Sequence, residues 1–277
     1  MPDLDPVALS GTDLDLAYHG EVVVHGAAVQ LRPGEVTALV GPNGSGKSTV
    51  LRALARLHPP ARGSVRLGDE ADVSLLSRRS FARRVTLLAQ SRPTPSGVSV
   101  ADVVQFGRHP YRGRWRATDP DGMSAVAHAM RVTGIEDLAQ RCVDELSGGQ
   151  RQRVWLASCL AQQTDVLLLD EPTTYLDLRY QVEMLDLVRE LADVHRVAVG
   201  VVLHDLDQAA AVADVLVLMD EGHVRACGDP AEVLTTELLS DTYGIRVEVD
   251  TDPVTDTLRT RAVGRQRARA KHPTASL

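Results

Sequence analysis

The sequence predicts an α/β fold: a parallel-sheet core, an antiparallel β region at the N-terminus, and a helical subdomain inserted between core strands. Three observations carry this. Short, fully apolar runs recur through the chain, as in Val166–Leu169, Val197–Leu203 and Val215–Met219, and such runs suit central parallel strands. A phosphate-cradling loop, Gly41-Pro42-Asn43-Gly44-Ser45-Gly46-Lys47-Ser48-Thr49, lies between a short apolar run and a helical pattern. From Val100 to about Leu160 the patterning turns wholly helical.

Taken in order, Val7 to Tyr18 alternates apolar and polar residues like an edge strand. Val22–Val24 and Ala27–Leu31 read as two further short strands. The turn Arg32-Pro33-Gly34-Glu35 feeds the strand Glu35–Val40, and Val50–Ala55 continues the helix after the loop. Ser64–Leu67 and Val85–Leu88 are strands, with a short basic helix over Ser77–Arg84 between them. Ser91–Gly97 is loop by composition. Helices are expected over Val100–Phe106, Ser124–Thr133 and Gln150–Leu160. A long amphipathic helix follows from Leu178 to Val194, and Asp207–Ala213 forms another. Asp220-Glu221-Gly222 turns one strand back on Val224. Two short helices, Pro230–Leu234 and Glu237–Tyr243, close the pattern. Residues 1–251 are read as one domain with its helical insertion at about 98–160. Residues 252–277 are polar and arginine-rich, which reads as a solvated, disordered end, with contact to anionic lipid as the alternative.

The chemistry starts at the loop. Its glycines let successive backbone N–H groups turn toward phosphate oxygens, and the helix start adds unpaired N–H groups and a positive dipole end. Lys47 supplies a mobile charge for the β- and γ-phosphates, and the Ser48 hydroxyl suits Mg²⁺. Tyr18, after the first strand, either stacks on a base or is an ordinary half-buried tyrosine. Hydrophobic residues make up 44% of the 277 residues but aromatics only 3%, so the core is expected to be aliphatic. A net charge of −7 argues against a general nucleic-acid binder. The three cysteines, Cys142, Cys159 and Cys227, are widely spaced and suggest neither a disulfide framework nor a metal cluster. The acidic N-terminus lacks a signal-peptide pattern, and no apolar run approaches a membrane span, so attachment to a membrane is expected to go through a partner.

A second anion-binding pattern is Leu146-Ser147-Gly148-Gly149-Gln150, two glycines and a serine opening a helix. With the P-loop, it resembles the ATP-binding cassette (ABC) ATPases over roughly Val7 to Val249. The resemblance implies that the P-loop of one protomer faces Ser147, Gly148, Gly149 and Gln150 of a second, with ATP between them. It implies that Asp170 holds Mg²⁺ and that adjacent Glu171 is the general base. Gln90 resembles the glutamine that senses Mg²⁺ and the γ-phosphate, and His204 the histidine that contacts that phosphate. Thr174-Tyr175-Leu176-Asp177 resembles the loop that crosses the dimer interface, and Tyr18 fits the adenine-stacking aromatic.

Within the family, Val100–Tyr111, Thr173–Asp177, Val202–Ala209 and Tyr243-Gly244 resemble importers of ferric siderophores, haem and vitamin B12, closest to the siderophore group. That implies a homodimer at the cytoplasmic face of the membrane. It would dock under two integral-membrane permease subunits through grooves near Gln90 and residues 91–115, and act indirectly with an extracytoplasmic substrate-binding protein. Import of haem or vitamin B12 is the alternative, and a soluble ATPase of iron–sulfur assembly a more distant one. A chromosome or repair ATPase needs a long coiled coil that the compact insertion does not provide.

Overall fold

The computed structural model describes residues 8–68, 71–90, 92, 94–112, 119–174, 176–255 and 257–264. Strands β1 (Leu9–Tyr18) and β2 (Glu21–Leu31) pair antiparallel. The two short strands expected over 22–31 are therefore one. His25 and Gly26 form a bulge: the pairing steps from Leu16↔Val24 to Leu14↔Ala27. Gly26 takes the left-handed conformation the bulge needs, φ 57°, and donates its N–H to Asp15 Oδ1 at 2.7 Å.

The chain then enters β3 (Val36–Val40) and, through the P-loop, α1 (Lys47–Leu54). β4 (Arg62–Leu67) and β5 (Ala71–Asp72) complete a four-stranded sheet of order β2-β1-β4-β5. α2 (Arg78–Ala82) and β6 (Val85–Leu88) follow. The insertion holds α3 (Val100–Phe106), α4 (Gly122–Val132) and α5 (Gly148–Ala161). The core resumes with β7 (Val166–Asp170), α6 (Leu178–Asp193), β8 (Ala198–Val202), α7 (Leu206–Val212), β9 (Val215–Asp220) and β10 (His223–Gly228). α8 (Pro230–Val233), α9 (Thr236–Tyr243), β11 (Val247–Thr251) and β12 (Leu258–Ala262) end the described chain.

The main sheet has the order β10-β9-β3-β8-β7-β6, parallel except for β10. Its central strands are buried on both faces, with strict alternation. Val166 and Leu168 of β7 join a core shared with the N-terminal sheet and α1, whereas Leu167 and Leu169 join a core under α6 and α7. α3, α4 and α5 enclose a third core around Val100, Val104, Ala129, Val154 and Ala157. Trp155 and Leu160 on α5 touch both the second and third cores, so one helix joins the insertion to the sheet. Among the described residues no helix is long and apolar enough to cross a membrane.

The reading of 252–277 as a disordered end is corrected for its described part. β12 pairs in register with β11, from Val247↔Ala262 to Thr251↔Leu258. Leu258 and Val249 pack on the second core, and Arg261 pairs with Glu248 across the strands. Tertiary contacts thus order a segment whose composition is polar. Arg265, Arg267, Arg269 and Lys271 lie outside the described residues, as does Tyr175.

Arg108, after α3, is 2% exposed and forks onto Asp119 at 2.7 and 2.8 Å. It also donates to Ala161 O and Gln163 Oε1 and lies over the Tyr111 ring. Its hydrogen bonds hold the Asp119 carboxyl below the usual carboxylate range. The pair's contribution to stability is therefore complete above the ordinary aspartate pKa and is lost as pH falls through Asp119's depressed folded value. Arg108→Met is expected to destabilise the protein by about 3 kcal/mol, because the carboxylate keeps its burial without its partner. Adding Asp119→Leu should recover most of that loss. Urea unfolding of wild type and the two variants checks both.

Candidate functional site

Three neighbouring strands deliver the site. β3 ends at the P-loop, β7 at Asp170-Glu171, and β8, which lies between them, at Leu203-His204. Parallel pairing places their carboxyl ends on one edge, where ligand sites of open α/β sheets form. Leu39 and Asp170 both register with Val202.

The loop's shape needs its glycines. Gly41 has φ 140°, and a Cβ there would lie 1.9 Å from Met219 O. Gly46, with φ 99°, opens α1, and a Cβ would lie 2.6 Å from Val24 Cγ2. Lys47 is buried. Its Nζ donates to Gly41 O at 2.8 Å, Pro42 O at 2.7 Å and Ser45 Oγ at 3.3 Å. Burial pushes its pKa below that of an ordinary lysine, and the charges of Glu171 and Asp170 pull it back up.

Ser48 Oγ donates to Asp170 Oδ1 at 2.6 Å. Asp170 is 1% exposed, and its Oδ2 has no hydrogen-bond partner; Arg52 Nη2 stands 3.8 Å away. Glu171 leaves the strand with φ 53°, an unusual value for a non-glycine residue, and its N–H donates to Val202 O. Three donors surround its carboxylate: His204 Nε2 reaches Oε1 at 2.6 Å, Thr174 Oγ1 reaches Oε2 at 3.2 Å, and Gln90 Nε2 also donates to Oε2.

A pocket of about 300 Å³ gathers Tyr18, Asn43, Gly44, Gly46, Lys47, Ser48, Thr49, Glu171 and His204. Tyr18 is 38% exposed, and its ring leans on His58 at 4.5 Å between centroids. Gln90 and Gly148 instead line a neighbouring cavity of about 490 Å³, which shares Glu171 with the first. Ser147 caps α5 by accepting from Gln150 N–H, and the Gln150 side chain accepts from Ser147 N–H. Gly149 packs on the Tyr180 ring, and a Cβ at this position would lie 3.0 Å from the nearest ring carbon. Ser147, Gly149 and Gln150 thus line neither of these two cavities. Arg52 and Thr174 are neighbours of the two carboxylates that sequence reasoning missed as site residues. Arg52 lies one helical turn beyond the loop without any pattern of its own, and Thr174 stood only in the expected interface loop. Among the described residues no three His, Cys, Asp or Glu side chains cluster to hold a metal ion with protein ligands alone.

A family model described as ABC transporter matches residues 24–174. The ferric enterobactin transport ATP-binding protein FepC of Escherichia coli (strain K12) is 44% identical over 252 residues, covering 90% of this chain and 92% of that protein. The "Probable siderophore transport system ATP-binding protein YusV" of Bacillus subtilis (strain 168) is 41% identical over 247 residues, covering 89% of this chain and 90% of that protein. A solved structure described as "An inward-facing conformation of a putative metal-chelate type ABC transporter" superposes with a TM-score of 0.80 at 27% identity, over 93% of this chain and 97% of that one.

Gly41→Ala is expected to cost at least about 2 kcal/mol, since the new methyl meets backbone rather than a movable side chain. Thermal unfolding checks the loss, and a titration with a fluorescent ATP analogue should show weakened binding at a temperature where the variant is still folded.

Proposed function

This chain belongs to the ABC transporter family, and on that premise we propose that it is the ATP-hydrolysing subunit of an importer that takes up ferric siderophore. The observation that carries the reading is the convergence of Lys47, Ser48, Asp170, Glu171, His204 and Gln90 on the sheet edge, three of them joined through one carboxylate. The cargo reading is supported by the likeness to FepC and YusV over about nine-tenths of the chain.

The roles follow from position. The P-loop amides cradle the phosphates, and Lys47 turns from its carbonyl contacts to the β- and γ-phosphates. Tyr18, on the pocket wall, receives the adenine. Glu171 accepts a proton from the attacking water as that oxygen bonds to the γ-phosphorus and the bridging oxygen leaves with ADP. Gln90, Thr174 and His204 fix its carboxylate, and His204 also reaches the γ-phosphate. Ser48 and Asp170 fit Mg²⁺: a hydroxyl and a buried carboxylate with one unpartnered oxygen suit a hard dication that keeps water and phosphate as its other ligands. When bound, the ion neutralises charge on the β- and γ-phosphates.

Ser147, Gly148 and Gly149 of a second copy would complete the pocket, making the working unit a nucleotide-dependent homodimer. A groove of about 790 Å³ beside α2, β6 and α5 is proposed to receive a permease helix at the cytoplasmic face of the membrane. Leu57 and Phe106 on its lining are 68% and 56% exposed, and Arg56, Arg78 and Arg92 favour an acidic or helix-C-terminal partner. An extracytoplasmic binding protein would act only through that permease.

Glu171→Gln is expected to bind ATP within a few-fold of wild type and to lower turnover by about a hundredfold or more. In cells carrying this variant as their only copy, uptake of radiolabelled ferric siderophore should be lost at normal protein abundance. Unchanged uptake would remove siderophore import from the reading.

A further inference from the structure

Glu171 and His204 follow the last sheet hydrogen bonds of their strands, Glu171 N–H to Val202 O and Leu203 N–H to Leu39 O. Glu171 leaves β7 with a strained backbone, and His204 precedes α7, a seven-residue helix too short to be stable alone. Hydrogen bonds from the first turn of α7 supply the restraint. Thr173, two residues after Glu171, donates its hydroxyl to Gln208 Oε1 at 3.1 Å. Gln208 Nε2 donates to Gln181 Oε1 on α6 at 3.1 Å. Gln181 Nε2 donates back to Thr173 O at 3.4 Å, which closes a ring. Thr173 is buried, so the ring works where hydrogen bonds are stronger than in water.

The neighbouring residue ties α7 to the end of the chain. Asp207 Oδ1 accepts from Thr260 N–H at 2.7 Å and from Thr260 Oγ1 at 2.8 Å. Thr260 lies at the middle of β12. α7 is therefore fastened on one side to the turn that carries Glu171 and on another to the C-terminal hairpin, while Asp205 caps it directly after His204. Gln208 and Asp207 line neither the P-loop pocket nor the cavity beside it.

We propose that Gln208 and Asp207 are positioning residues for ATP hydrolysis. They set the 2.6 Å contact between His204 and Glu171, and through Asp207 the C-terminal hairpin becomes part of the catalytic frame. The proposal rests on the ATPase reading above. Its consequence is a specific kinetic pattern: loosening either tie displaces the histidine and carboxylate that act in turnover, while the P-loop that holds ATP keeps its shape.

The test compares full-length wild type, Gln208→Leu, Asp207→Ala and Asp207→Asn by steady-state ATP hydrolysis and thermal unfolding. Gln208→Leu and Asp207→Ala are expected to lower kcat about tenfold with KM for ATP within about twofold. Asp207→Asn should recover most of the lost kcat, because its amide oxygen still accepts from both Thr260 donors. The Asp207 pair carries the test should Gln208→Leu fold poorly. With wild type active, kcat within twofold of normal for Asp207→Ala overturns the proposal, as does Asp207→Asn failing as badly as Asp207→Ala or KM rising in step with the loss of kcat. No turnover by the wild type overturns the ATPase reading itself, and the positioning roles with it.

Discussion

The site depends first on the parallel register of β3, β8 and β7. Leu39 and Asp170 both align with Val202, and this alignment lets Ser48, after β3, meet Asp170, at the end of β7. A slip of one residue would move a strand by about 3.3 Å and turn its side chains to the opposite face. The Ser48–Asp170 contact would then break. The alternation of Val166 and Leu168 with Leu167 and Leu169 between two cores makes such a slip costly on both faces at once. Aliphatic packing that carries no chemistry thus fixes the geometry of the polar edge.

At that edge the local conformations run against ordinary preference. Gly41 and Gly46 have positive φ, and so does Glu171, which lacks glycine's freedom. For a non-glycine residue such a conformation costs on the order of 1–3 kcal/mol and persists only where surroundings over-determine it. For Glu171 the surroundings are explicit: Val202 O takes its N–H, and His204, Thr174 and Gln90 hold its carboxylate. Two adjacent carboxylates, one of them buried, are offset by Lys47 on one side and Arg52 on the other. Strain and charge are therefore concentrated at the carboxyl edge of the central strands.

Much of this was legible in the sequence because the chemistry is local. The P-loop glycines, Lys47 and Ser48 are consecutive, and the apolar runs before Asp170 and His204 announce strand ends. What was not legible depends on distant partners. The bulge in β2 needs Asp15 to receive the Gly26 N–H. β12 alternates Leu258, Arg259, Thr260 and Arg261, which by composition is solvated chain. Its order comes from Leu258 in the second core, Arg261 on Glu248 and Thr260 on Asp207. The seat of Gly149 on Tyr180 likewise joins residues whose separation in sequence hides the contact.

That last contact joins the helical insertion to the core. α5 is capped by Ser147, carries Gly149 against Tyr180 of α6, and in its second half places Trp155 and Leu160 against two cores. Arg153, on the same helix, stacks on the Tyr180 ring and pairs with Glu183. α6 in turn is linked through Gln181 to Thr173 and Gln208. The Ser147–Gln150 turn is thus joined, through Gly149 on Tyr180 and Gln181 on Thr173, to the segment that holds Glu171. One helix face and one ring of hydrogen bonds span the distance between them.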